Sequence, residues 1–146
     1  MSIVVALDFS EVSERQLGIV VRLAKDSDSK VYLLHVAEPE PDFVGYETGP
    51  DVVRDQVAEE YHREHRRLQA FAESLRAQGV DATALLVRGS IVETVLAEAE
   101  ALDAGLIVVG SHGHGAAYHL LVGSISAGII RKAEVPVVVV PAEKPD

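Results

Sequence analysis

At 146 residues, 48% hydrophobic and 25% charged, the chain has the size and composition of one globular domain, 1–146, and not of a disordered segment. Its net charge of −10 disfavours sequence-independent binding to nucleic acid, which draws on positive charge. It has no cysteine, which excludes disulfides, thiolate metal sites and a thiol nucleophile and fits a reducing cytoplasm, and no apolar run approaches the roughly 20 residues of a membrane helix.

Ser2 to Leu7 is an apolar, largely β-branched run ending at Asp8. Apolar residues at consecutive positions predict a strand buried on both faces. No basic leader precedes it, so no secretory signal is expected. Asp8-Phe9-Ser10 breaks the run. Ser13-x-x-Gln16 has the form of a capping box, with Ser10 as the alternative cap, and Leu17, Val20, Val21 and Ala24 recur at helical spacing. Asp26 to Lys30 reads as a turn and Val31 to Val36 as the second strand.

Pro39, Pro41, Gly45, Gly49 and Pro50 predict a long irregular loop, of the kind that is functional or mobile. A long helix follows, with Asp51 as its cap and Gly79 at its end. Val53, Val57, Tyr61, Leu68, Phe71 and Leu75 mark its apolar face. Glu64 interrupts that face, so the middle of the helix is expected to project beyond the core or to meet another subunit. Arg63, Arg66 and Arg67, mixed with Glu59, Glu60 and Glu64, read as a solvated face with ion pairs, and His62 and His65 as surface residues.

Ala82 to Val87 is the third strand. Ser90-x-x-Glu93 is a second capping box, opening a helix with Ile91, Val95, Leu96, Ala99 and Leu102 inward. Gly105 turns into the fourth strand, Leu106 to Val109. After a glycine cluster, a short helix from Ser124 to Ala133 is expected to be lined by Ile125, Ile129 and Ile130. Val137 to Val140 is the fifth strand, stopped by Pro141. Strands and helices thus alternate, which predicts a parallel sheet with right-handed crossovers and helices on both faces.

The glycine cluster is the most specific feature. Gly110, Gly113, Gly123 and Ser124 form the pattern G-x2-G-x9-G-[ST] directly after a strand and at a helix start. It differs from G-x-G-x-x-G and from the P-loop, so a Rossmann dehydrogenase and a Walker-type NTPase are disfavoured. Gly110 and Gly113 let backbone N–H groups approach a phosphate, and Gly123 and Ser124 place further N–H groups at a helix N-terminus. The hydroxyls of Ser124 and Ser126 can add hydrogen bonds.

With Ile3-Val-Val-Ala-Leu-Asp8-Phe-Ser10, Leu34-His35-Val36, Ile107-Val-Val-Gly-Ser-His-Gly113, Gly123-Ser124-Ile125-Ser126 and Val135-Pro-Val-Val-Val-Val-Pro141, the chain resembles the universal stress protein family over nearly its whole length. The resemblance, to the ATP-binding branch, implies an open five-stranded parallel α/β sheet of order 3-2-1-4-5. This is a Rossmann-like fold of the adenine nucleotide alpha hydrolase kind. It implies an adenine nucleotide, ATP foremost, at the point where the strand order reverses. Ala6, Leu7, Asp8 and the main chain at Val36 would hold adenine and ribose. Gly110, Ser111, His112, Gly113, Gly123, Ser124, Ile125 and Ser126 complete the implied site. Two departures stand out. Phe9 occupies a position where the family often has glycine. His114, Gly115, Ala116, Ala117, Tyr118 and His119 stand where basic residues are usual, which keeps AMP and ADP open. Protonated histidine beside the phosphates would strengthen binding below about pH 6.5. This is a hypothesis, and an affinity unchanged between acidic and neutral pH counts against it.

Other chemistries are weaker. Asp8 can contact ribose, hold Mg2+ or cap the next helix. As a phospho-acceptor it lacks an acidic neighbour and a lysine ending the fifth strand, where Val140-Pro141 stands. His112, His114 and His119 have no carboxylate in their loop to complete a metal set and read as histidines near a phosphate pocket. His35 reads as a hydrogen-bonded residue at the core edge. Ser124 and Ser126 read as helix caps before phosphate acceptors. No Ser-His-Asp set is evident, so binding with slow or no turnover is expected; a slow Mg2+-dependent ATPase or nucleotide hydrolase using Asp8 is the alternative. An apolar edge strand at Val137 to Val140 predicts a homodimer through antiparallel pairing, as the family resemblance also implies. The resulting expectation is a cytoplasmic, nucleotide-dependent stress-response sensor or regulator with an unidentified protein partner. A nucleotide-free interaction module is the third reading.

Overall fold

The computed structural model of the chain describes residues 1–38, 50–111 and 123–142, of which 50–55 by their backbone alone. The elements are β1 (Ser2–Ala6), α1 (Ser13–Ser27), β2 (Lys30–Ala37), α2 (Pro50–Ala77), β3 (Ala82–Arg88), α3 (Ile91–Ala101), β4 (Ala104–Gly110), α4 (Ser124–Lys132) and β5 (Val137–Val140). They form one sheet of order β3-β2-β1-β4-β5, parallel at every pairing, as expected.

The consecutive apolar residues of the strands are explained by two cores. Side chains alternate across a strand. Ile3, Val5, Leu33 and Val108 therefore face a cluster completed by Val20 of α1 and Leu68, Ala72 and Leu75 of α2. Val4, Leu34, Ile107 and Val109 face a second cluster with Val95 and Ala99 of α3 and Ile129 of α4. Each such aliphatic side chain, fully buried, contributes roughly 1.5–3 kcal/mol. Gly128 lets α4 lie close to α3: a Cβ there would sit 3.0 Å from Cγ2 of Val92.

Several local expectations are revised. Ser13 is the first residue of α1 and makes no cap bond; Val12 is the cap, and Gln16 sends its amide to the Ala6 carbonyl instead. Pro50 opens α2, a position that suits its fixed φ and missing N–H, so Asp51 lies inside the helix. Ser90 does precede α3, but its hydroxyl donates to the Glu93 carboxylate at 2.8 Å rather than capping the backbone. Of the three isoleucines of α4 only Ile129 is buried, whereas Ile125 and Ile130 are 42% and 44% exposed. The helix meets one face of the sheet and α3, and a stripe of one isoleucine suffices. The expected loop falls mostly on residues 39–49, outside the described residues. Gly79, with φ +89, follows α2 in the left-handed conformation that glycine tolerates.

Glu64 has a specific reason to interrupt the apolar face of α2. Its Oε2 meets Nε2 of His35 on β2. The middle of the helix is therefore tied to the sheet and does not project from it. Arg63, Arg66 and Arg67 are exposed. The Arg67 guanidinium lies 4.8 Å from the Phe9 ring centroid, and none of the three is in a salt bridge among the described residues. His62 and His65 are exposed.

Candidate functional site

β1 is flanked by β2 on one side and β4 on the other, and the helices α1 and α4 that follow β1 and β4 pack on opposite faces of the sheet. A crevice is expected beyond the carboxyl ends of strands at such a reversal. A cavity of about 360 Å3 lies there, lined at the ends of β1, β2 and β4 and at the start of α4.

Each side of the cavity has its own chemistry. Val36, Ile91, Val95 and Ile129 give apolar surface from β2, α3 and α4. Ala6, Leu7 and Asp8 contribute the end of β1. Leu7 continues the pairing with β2, its N–H donating to the Leu34 carbonyl at 2.8 Å. The Asp8 carboxylate is exposed, and its Oδ1 accepts from the Ser10 N–H at 2.9 Å. This is an Asx turn, not a cap of α1. Phe9 follows with φ 60, left-handed for a bulky residue. Its ring is held against His35, centroids 4.4 Å apart, and Phe71 at 6.0 Å.

Opposite β1, Gly123, Ser124, Ile125 and Ser126 line the cavity with the first turn of α4. The N–H groups of Ser124, Ile125 and Ser126 have no carbonyl one turn back inside the helix, so this end favours an anion. The Gly123 N–H is already committed to the Ser111 carbonyl. Ser126 is buried and donates its hydroxyl hydrogen to the Gly110 carbonyl, pinning α4 to β4. Its hydroxyl proton is thus spent on the frame.

Gly110 lines the cavity, but the structure gives it a further role. A Cβ there would collide with Cγ1 of Val12, so glycine lets the start of α1 pack onto β4. Ser111 is buried and turned to the frame rather than to the cavity: its N–H donates to the Val140 carbonyl at 2.8 Å and its Oγ accepts from the Ala142 N–H at 3.3 Å. His112 and Gly113 lie outside the described residues, as do His114 and His119 of the metal reading. Among the described residues no group of three or more His, Asp or Glu is placed to hold a metal ion.

Two lining residues, Gln16 and His35, carry polar groups that were not assigned to the site from sequence. Gln16 was hidden by its resemblance to a capping box. His35 bonds the Leu7 carbonyl through Nδ1 at 2.7 Å and Glu64 through Nε2. It also borders a second cavity of about 390 Å3, between α2 and the ends of β2 and β3. Further out, Glu93 joins α3 to α4 through Lys132 at 3.6 Å. The Ser90 hydroxyl, first, holds its carboxyl below the ordinary range, with its own backbone N–H and Lys132 adding to the effect.

An open parallel sheet with a ligand-sized cavity at its switch point defines a Rossmann-like α/β protein. The universal stress protein family model matches residues 1–141, and the chain belongs to that family. A universal stress protein of Thermus aquaticus is 30% identical over 145 residues, covering 95% of this chain and 97% of the relative. YxiE of Bacillus subtilis (strain 168) is 28% identical over 141 residues, covering 93% and 95%. Among solved structures, MJ0577 matches with a TM-score of 0.81 at 26% identity, covering 99% of this chain and 97% of that one. The universal stress protein from Archaeoglobus fulgidus in complex with dAMP matches with a TM-score of 0.63 at 25% identity, covering 95% and 96%. No described helix is long and apolar enough to cross a membrane.

Proposed function

We propose that this protein binds an adenine nucleotide in the switch-point cavity and acts as a nucleotide-dependent regulator or sensor of a cytoplasmic stress response, not as an efficient enzyme. The observation that carries this reading is the union, in one cavity, of apolar walls at Val36, Ile91 and Val95 with the anion-favouring start of α4. The walls suit a flat base; the helix end suits a phosphate, each first-turn contact contributing roughly 0.3–1 kcal/mol. The dAMP bound by the Archaeoglobus fulgidus relative supports the ligand class.

In this reading Ala6, Leu7, Asp8 and Val36 surround base and ribose. Gly110, Gly123, Ser124, Ile125 and Ser126 approach the phosphates, joined by His112 and Gly113 as the motif implies, while Ser111, whose N–H and Oγ are both engaged by the C-terminal segment, supports them from the frame. ATP is the leading ligand, with AMP and ADP beside it and Mg2+ as an accompanying ion. Mass spectrometry of nucleotide released on denaturing the purified protein, with calorimetric titration of AMP, ADP and ATP, tests the proposal. Adenine nucleotide in the released fraction is expected. Its absence, together with no binding at millimolar concentration, overturns the reading.

We also propose a homodimer through β5. Among the described residues this strand pairs only with β4, and Val137, Val138 and Val139 are left partly exposed. An apolar edge of this kind is covered by antiparallel pairing with a second copy. Light scattering at micromolar concentration is expected to give twice the mass of the chain; a monomer overturns it.

A further inference from the structure

We infer that Gln16 reads the sugar of the bound nucleotide: its amide oxygen accepts a hydrogen bond from a ribose hydroxyl, so that the cavity prefers ribonucleotides to their deoxy counterparts. The inference rests on the nucleotide reading above and adds a residue and a selectivity to it.

Gln16 lies in the first turn of α1 and is 1% exposed, yet it lines the cavity. A buried primary amide has two donor hydrogens and an acceptor oxygen to satisfy. Nε2 donates to the Ala6 carbonyl at 3.0 Å. That carbonyl can only accept, so the amide cannot be turned over without setting oxygen against oxygen. The orientation is thereby fixed, and Oε1 points to the β4 side. It lies 3.3 Å from where a Cβ of Gly110 would stand. Gly110 lines the same cavity, and no described residue donates a hydrogen bond to Oε1. The floor between β1 and β4 therefore presents a fixed acceptor that lacks a described partner. A ligand that covers this acceptor without offering a donor leaves it unmatched, which is unfavourable, so a ligand that brings a donor gains by it.

The ligand has few donors to offer. Phosphate oxygens and the ring nitrogens of adenine accept at neutral pH. The donors are the exocyclic amine and the ribose hydroxyls. The apolar walls that suit the base lie toward β2 and α3, and the phosphate-favouring helix end is α4. Gln16 spans from Ala6 at the end of β1 to Gly110 at the end of β4, beneath the part that joins base to phosphate. That part is the sugar, with Asp8 beside it.

The test is titration of the wild-type protein and of Gln16→Leu with AMP, 2′-deoxy-AMP, 3′-deoxy-AMP and the corresponding 2′- and 3′-fluoro analogues. Wild type is expected to bind AMP about ten-fold more tightly than one of the deoxy forms, the scale of a single neutral hydrogen bond. Its fluoro analogue, which cannot donate, is expected to bind as weakly. In Gln16→Leu the AMP and deoxy affinities are expected to fall within about two-fold of each other. If this variant does not fold, Gln16→Met serves, and the fluoro comparison needs no variant. Equal affinity of wild type for AMP and both deoxy forms overturns the inference while leaving nucleotide binding intact. A preference that survives in the variant, or a fluoro analogue as tight as AMP, does the same. Failure of AMP and every analogue to bind overturns the inference, and only when ADP and ATP also fail does the nucleotide reading go with it.

Discussion

His35 of β2 and Glu64 of α2 are joined through Nε2 and Oε2, while Nδ1 of the same ring reaches the Leu7 carbonyl at 2.7 Å. A carbonyl only accepts, so Nδ1 carries a hydrogen. Nε2 then faces a carboxylate oxygen, and one proton lies between the two groups. The ring thus links the long helix to the strand end that borders the cavity. Glu64→Ala leaves Nε2 without its partner in a largely buried place. It is expected to destabilise the fold by about 1–3 kcal/mol in urea unfolding. The same variant is expected to weaken AMP binding, because the Leu7 carbonyl loses its fixed donor. An unchanged unfolding midpoint speaks against the link.

Gly110 is set against Val12. A methyl group added to Gly110 meets Cγ1 of Val12, and the start of α1 must shift to admit it. Gly110→Ala is expected to lower stability by about 1–3 kcal/mol, the range for overpacking a close contact. Val12→Ala in the same background is expected to restore part of the loss. Thermal unfolding of the two single variants and the double variant reads the coupling; strict additivity denies the contact.

Phe9 gives an inverted ranking. Its φ of 60 disfavours any residue with a Cβ, by about 1–2 kcal/mol relative to a right-handed conformation. Its ring packs against His35 and Phe71 with Arg67 above it. Phe9→Ala loses the packing and keeps the backbone strain, and about 3–5 kcal/mol is expected. Phe9→Gly loses the same packing but relieves the strain. It is therefore expected to be the more stable of the two by about 1 kcal/mol. Equal stabilities, or alanine above glycine, contradict the strained geometry.

Glu93 predicts a pH dependence. Its carboxyl is held below the ordinary value of 4.5, chiefly by the Ser90 hydroxyl. A carboxyl lowered in the folded state stabilises above its unfolded value, and that contribution is lost as pH falls through the folded value. The melting temperature of Ser90→Ala is accordingly expected below that of wild type at pH 7, with the gap narrowing between about pH 5 and pH 3. A gap that stays constant over that interval rejects the assignment.

What could be read from sequence was what local pattern dictates. Ile3-Val4-Val5 and Ile107-Val108-Val109 could be recognised as strands buried on both faces because their neighbours alternate between two apolar clusters. Gly110, Gly123 and Ser124 fell at a strand end and a helix start because the motif has a fixed spacing. Features that failed to show depend on partners remote in the chain. Gln16 bonds Ala6, which lies before its helix, and Glu64 bonds His35 across the 39–49 segment. A capping pattern and a break in an apolar face are the local shadows of those bonds, and neither names the partner. Ile125 and Ile130 were misplaced for a related reason. Helical spacing marks a candidate stripe but does not say how much of it a neighbour covers.

Whatever sequence joins 111 to 123, its two ends are clasped by the frame: the Gly123 N–H by the Ser111 carbonyl, and Ser126 by Gly110. The first-turn amides of α4 therefore keep their position relative to the sheet independently of the intervening residues. The start of α4 is thus moored to the end of β4 by bonds of its own, and in the proposed reading the amides that face the phosphate are held by the sheet.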